Sequence, residues 1–130
     1  MDPDFEKRII RCLFLRKYRD RAEFLIDRGD RDKLFYRIEE KIDPRFLQPV
    51  KANAAGCSAM YRSMKDEGCG EQCYFMSDNS EESGFCSLKQ ASDLILWAWP
   101  ALLVDTDLKT GFLESDGEIK WMHFLIRRPV

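Results

Sequence analysis

The cysteines are the first residues whose type and spacing suggest chemistry. Cys69, Cys73 and Cys86 fall within residues 69–86, and Cys57 lies a short way upstream. Cys69 and Cys73 are spaced C-x3-C, inside the range of the knuckles from which structural zinc sites draw two of their four ligands. Cys57 and Cys86 are the residues that would complete a four-thiolate zinc site. No second knuckle accompanies them, and a chain this rich in aliphatics does not need a metal to fold. The reading preferred here is therefore ordinary thiols with no metal and no cofactor. Zinc at Cys57, Cys69, Cys73 and Cys86 and a redox or disulfide pair are the alternatives. Cys12, in an apolar helical stripe, reads as core.

His123 is the only histidine in the chain. A hydrolase would need a nucleophile beside it and an acid to orient it. Cys73 or Ser77, with Asp78 or Asp105, would have to serve. No G-x-S-x-G, P-loop, G-x-G-x-x-G or H-E-x-x-H pattern accompanies them, so no catalytic residue is assigned. A small enzyme around His123 and a cysteine stays an alternative. The acidic run Ser77, Asp78, Asn79, Ser80, Glu81, Glu82 offers oxygens to a hard cation but lacks the alternation of an EF-hand. Asp78 and Asn79 more simply make turns after a strand, and Asp105 and Asp107 read the same way.

Arg16, Lys17, Arg19 and Arg21 form the densest basic cluster, diluted by Asp20 and Glu23. The expected role of these charges is a solvated helix face laced with weak i,i+4 pairs, Arg16 with Asp20 and Asp27 with Arg31. Trp99, beside Pro100 at a helix end, is a candidate exposed anchor, since tryptophan is enriched at binding hot spots.

The elements that must position these residues follow from periodicity. Phe5, Ile9, Leu13, Tyr18, Ala22 and Leu25 recur at near-helical spacing and predict one helix over 4–28. Gly29 is placed to end it in a left-handed turn, and Asp30 to cap the next. Leu34, Phe35 and Ile38 carry the second helix to about Lys41, where Asp43-Pro44 stops it. Residues 43–56, with two prolines and a run of small residues, read as an irregular connector. A short third helix is expected over 58–67.

The second half changes character. Residues 73–76 predict a buried strand, then a polar turn. Ser87 and Gln90 form a capping box opening a helix to about Trp97. Residues 101–105 predict a second buried strand. Residues 110–114 and 118–127 predict a hairpin about Ser115-Asp116-Gly117. The last strand is apolar on both faces and should be interior and covered on both sides. The expected class is α+β: an N-terminal helical pair (helical part about 4–67), then a β-α-β-β-β unit over about 72–128 with a terminal antiparallel hairpin. All 130 residues are expected to form a single domain.

The stretches YRDRAEFLIDRGDRDKLFYRIEEKIDPRF, residues 18–46, and CYFMSDNSEESGFCSLKQASDLI, residues 73–95, resemble a family of small uncharacterised bacterial proteins. That family combines a YRDR…FL helix pair, a DPRF turn and a CYxxSDN-type strand end. The resemblance implies bacterial origin and carries no activity. It also implies that Asp78, Asn79, Glu82 and Gly84 belong to a recurring structural loop. The chain departs from the pattern after its last helix, where WAWPALL replaces a small, glycine-rich turn.

Composition bounds the rest. Hydrophobic residues make up 45% of the chain and charged residues 34%, which suits a folded globular protein. The longest nearly uncharged run, residues 94–104, is too short to span a bilayer, so no membrane partner is expected. The start MDPDFEKRII is acidic and lacks an apolar signal core, so the expected location is cytoplasmic. Residues 1–50 carry 13 Lys and Arg against 11 Asp and Glu, while residues 51–130 carry 8 against 12. The net charge of −2 does not suit a dedicated nucleic-acid domain. The reading is a non-catalytic protein-interaction domain. Its expected contact residues are Arg16, Lys17, Arg19, Arg21, Asp78, Glu81, Glu82 and Trp99. The alternative is nucleic-acid association through Arg8, Arg11, Arg16, Lys17, Arg19 and Arg21.

Overall fold

A computed structural model describes residues 1–50, 57–94, 100–115 and 122–129, without the side chains of Cys57, Ser58 and Met122. Trp97, Trp99, Trp121 and the turn residues Asp116 and Gly117 lie outside the described residues. The helices are α1 (Pro3–Leu13), α2 (Arg16–Arg28), α3 (Arg31–Phe35), α4 (Ile38–Lys41), α5 (Cys57–Asp66) and α6 (Leu88–Leu94). The strands are β1 (Leu47–Val50), β2 (Gln72–Ser77), β3 (Gly84–Ser87), β4 (Ala101–Asp105), β5 (Thr110–Ser115) and β6 (Met122–Arg127). The fold is α+β, with the helices of the first half on an antiparallel six-stranded sheet of order β1-β6-β5-β4-β2-β3.

The predicted helix over 4–28 is two helices. Leu13, Phe14 and Leu15 are consecutive apolar residues, and a continuous helix cannot turn all three to one face. The chain breaks instead. Phe14 becomes extended and bridges Ile42, Leu15 N–H donates to Lys41 C=O, and Asp43 N–H donates to Leu13 C=O. Leu13 and Phe14 are both buried as a result. The second predicted helix also divides, at Tyr36-Arg37, where Arg37 takes a left-handed conformation. The expected caps form: Gly29 ends α2 at φ 71°, and the Asp30 side chain accepts from Lys33 N–H.

Two strands escaped the sequence reading. β1 lies inside the presumed connector and pairs with β6; as an edge strand it tolerates Pro49, whose missing N–H costs no ladder bond on the outer side. β3 pairs with β2 at the opposite edge, just before the Ser87–Gln90 capping box, which forms as expected. β6 is interior, as its two apolar faces require, between β1 and β5.

Alternation along the strands divides the core into two layers. Tyr74, Met76, Leu102, Val104, Leu113, Phe124 and Ile126 face the N-terminal helices. Cys73, Phe75, Ala101, Leu103, Phe112 and Leu125 face the other way and pack with Met60, Met64, Leu88 and Ala91 of α5 and α6. Among the described residues no helix is long and apolar enough to cross a membrane.

Candidate functional site

The outer face of α2 carries the most distinctive surface chemistry. At 100° per residue, Lys17, Arg21, Phe24 and Arg28 fall within about 60° of arc. All four are exposed. Phe24 is 45% exposed and lies between two guanidinium groups, Arg21 at 5.1 Å and Arg28 at 5.6 Å from the ring centroid. Lys17 lies over the Tyr18 ring.

The helix's own acids do not neutralise this stripe. Glu23 pairs with Arg11 and Asp27 with Lys7, both across to α1. Lys17, Arg21 and Arg28 have no carboxylate partner among the described residues. The anticipated i,i+4 pairs do not form: Asp27 turns to Lys7, Arg31 turns inward to Glu6, and Arg16 and Asp20 are not paired with each other.

The predicted basic cluster is thereby redrawn. Arg19 is half-buried and donates from Nε to Phe14 C=O at 3.0 Å, clasping the break between α1 and α2. Arg11 is occupied by Glu23, and Arg8 lies over the Phe5 ring on α1. Arg16 is exposed beside the stripe rather than in it. Phe24 and Arg28 were missed. Their signal is the spacing 17, 21, 24, 28, which keeps one helical face, whereas density along the sequence picks out 16, 17, 19 and 21.

The acidic loop between β2 and β3 exposes Asp78, Glu81 and Glu82 but ties its other polar groups internally. Ser77 Oγ accepts from Asn79 N–H, and Asn79 Oδ1 accepts from Glu81 N–H. Buried Ser83 Oγ donates to Asn79 C=O and accepts from Ser77 N–H and from Arg31. The oxygens considered for a cation at Ser77 and Asn79 thus serve the loop, and Ser83 anchors it to Arg31.

Arg31 belongs to a buried network. Its guanidinium donates to both oxygens of Glu6 at 2.8 and 3.0 Å, to Ser77 C=O at 2.8 Å and to Ser83 Oγ. Tyr74 O–H donates to Glu6 Oε2 at 2.8 Å and accepts from Asp2 N–H. Burial pushes the Tyr74 phenol well above its ordinary value. Every strong donor and acceptor here has a partner, the condition under which a buried polar network holds one structure.

On the opposite face of the sheet His123 Nδ1 lies 2.6 Å from Glu114 Oε2. The two are register partners on β6 and β5, with Val50 and Ala101 on either side in the same row. Glu114 is fully buried, and its Oε1 has no partner among the described residues. Burial pushes the Glu114 carboxyl up to about 8 and the His123 imidazole down. Both shifts favour the neutral pair, in which the carboxyl O–H donates to Nδ1. Of the residues considered beside His123, Cys73 and Asp105 are register partners at the other end of β2 and β4, and Ser77 shares the row of Glu114 but stands beyond Ala101, three strands from His123. The side chain that reaches the imidazole is Glu114, not Cys73, Ser77, Asp78 or Asp105.

Cys69 and Cys73 meet at the start of β2, Sγ to Sγ 3.7 Å, both buried. Cys86 is the register partner of Cys73 on β3 and is half-buried. The fourth zinc candidate, Cys57, lies in α5, and its side chain is outside the described residues. Among the described residues no group of three or more His, Cys, Asp or Glu is arranged to hold a metal ion. Compared with protein-family models, with curated proteins and with solved structures, the chain matches none.

Proposed function

We propose that the chain is a non-catalytic protein-binding domain whose contact surface is the α2 stripe Lys17, Arg21, Phe24 and Arg28, and whose partner presents an acidic surface around an apolar pocket. The observation that supports this is one exposed phenyl ring held between two arginines with no carboxylate partners. Arginine and aromatic residues are enriched where proteins meet, and a few such anchors supply most of the binding energy. Phe24 would fill the pocket, and Arg21 and Arg28 would pair with carboxylates at its rim. A base could also stack on Phe24. The overall charge of −2 and pI near 5.5 favour the protein reading.

The test is a side-by-side isolation of partners with the wild type and Phe24→Ala, followed by affinity measurement on each purified partner. Expected is an acidic protein whose affinity falls at least about tenfold with Phe24→Ala, the effect of a hot spot of about 1.4 kcal/mol. Arg21→Ala should weaken it further, and the loss should shrink as salt rises. Partners indifferent to Phe24 and Arg21 would overturn the assignment. Binding of single-stranded RNA or duplex DNA that collapses between 50 and 200 mM salt would give the stripe to a nucleic acid instead, through release of phosphate counterions.

A further inference from the structure

We propose that Cys69 and Cys73 form a dithiol site that a small hydroperoxide oxidises to an intramolecular disulfide. The two sulfurs are already in contact at 3.7 Å, so bond formation needs a closing movement of under about 2 Å to the disulfide length. Cys69 lies in the short link between α5 and β2, flanked by the exposed Gly68 and Gly70. Gly68 sits at φ +89° and donates its N–H to Lys65 C=O, and Cys69 N–H donates to Met64 C=O, so the link closes the end of α5 and the approach is left to the thiol side chains. Cys73 is fixed by its pairing to both β3 and β4. One thiol is therefore on the turn that closes a helix and the other on a strand paired on both sides.

The surroundings distinguish the roles of the two. A hydrogen bond from Cys73 is the chief influence holding the Cys69 thiol below its ordinary value, against the effect of burial, and Lys65 adds to it. The same hydrogen bond and burial push Cys73 up. Cys69, which keeps 4% of its surface exposed where Cys73 keeps 0%, is the attacking sulfur. Its thiolate bonds to one peroxide oxygen as the O–O bond breaks. That gives a sulfenic acid, and the departing hydroxide or alkoxide takes up the proton that the thiol released on ionising and leaves as water or an alcohol. Cys73 sulfur then bonds to Cys69 sulfur as the S–O bond breaks, and the second hydroxide leaves with the Cys73 proton as water. Two thiols lose two electrons, and one peroxide is reduced. A small dithiol reverses the oxidation.

The experiment uses the full reduced chain, freed of reductant and treated with hydrogen peroxide, then quenched with a maleimide. Expected are a two-dalton mass loss, two of the five thiols unlabelled, and a linked Cys69–Cys73 peptide that dithiothreitol releases. The link should form about tenfold faster than Cys12, a half-exposed helical thiol, is oxidised in the same molecule. In Cys73→Ser a dimedone adduct should accumulate on Cys69, and in Cys69→Ser no internal link should form. A Cys73–Cys86 link, sulfinic acid at Cys69 in the wild type, or oxidation of Cys69 no faster than Cys12 would each overturn the proposal.

Discussion

Two buried carboxylates sit on opposite faces of one sheet and meet opposite fates. Glu6, facing the N-terminal helices, receives two N–H donors from Arg31 and the O–H of Tyr74. Among the described residues Glu114, on the other face, has one side-chain hydrogen-bond partner, His123, and leaves Oε1 without a partner. Both carboxyls are 0% exposed, so burial alone does not distinguish them. The number and kind of donors does. A guanidinium keeps its charge and presents a planar fork, which repays the removal of a carboxylate from water. An imidazole gives up its proton when buried, so the same desolvation is met by neutralising the acid. The first pair is a structural bolt across α1, α3 and β2. The second is a proton-holding pair beside the end of β5 and the start of β6.

The comparison breaks most severely at Glu6. Glu6→Gln leaves Arg31 buried without its counter-charge and should cost about 3–5 kcal/mol, read as a lowered denaturation midpoint with unchanged slope. Loss of that size should also loosen the loop before β3, because Ser83 hangs on the same guanidinium. Hydrogen exchange at Ser77 and Asn79 N–H would report it. Tyr74→Phe asks for less. It removes one donor to a charged acceptor and the acceptor of Asp2 N–H, with the ring still packed against Phe5 and Phe85. The expected cost is about 1.5–3 kcal/mol by the same measurement. A cost near zero would mean that Arg31 alone satisfies Glu6.

The contrast between the pairs was not legible in the sequence. Glu6 and Arg31 are far apart in the chain and look like any acid and base on amphipathic helices; i,i+4 spacing, the only proximity a sequence displays, points Arg31 to Asp27 instead. His123 is visible as a lone histidine, but its partner lies on the neighbouring strand, and the register that pairs them is a tertiary fact. Local signals are legible. Gly29, Asp30 and the Ser87–Gln90 box mark helix ends through backbone chemistry that needs no tertiary context, and β4 is apolar from Ala101 to Val104 because both its faces are covered. β1 and β3 were lost because edge strands may be short, polar or proline-bearing. The break at Phe14 depended on Ile42 and Asp43 arriving from elsewhere to satisfy it.

The smallest expected effect decides whether the second pair is neutral. At pH 5 Glu114→Gln replaces a protonated carboxyl by its uncharged isostere and should change stability by less than about 1 kcal/mol. The pH dependence separates the proteins. The folded carboxyl titrates near 8 against an ordinary 4.5. Its stabilising contribution is therefore complete below about 4.5 and is lost as pH rises through 8, because the unfolded chain ionises first. His123 works oppositely: burial lowers its value from 6.5, so its contribution is present above 6.5 and is lost as pH falls below that. Between pH 6.5 and 8 only the Glu114 slope remains, about 1.4 kcal/mol lost per pH unit. Glu114→Gln should flatten that slope and leave the variant more stable than the wild type at pH 8. A wild type without the slope, or a variant several kcal/mol weaker at pH 5, would make Glu114 a charged bolt like Glu6, and the two faces of the sheet would then solve the same problem in the same way.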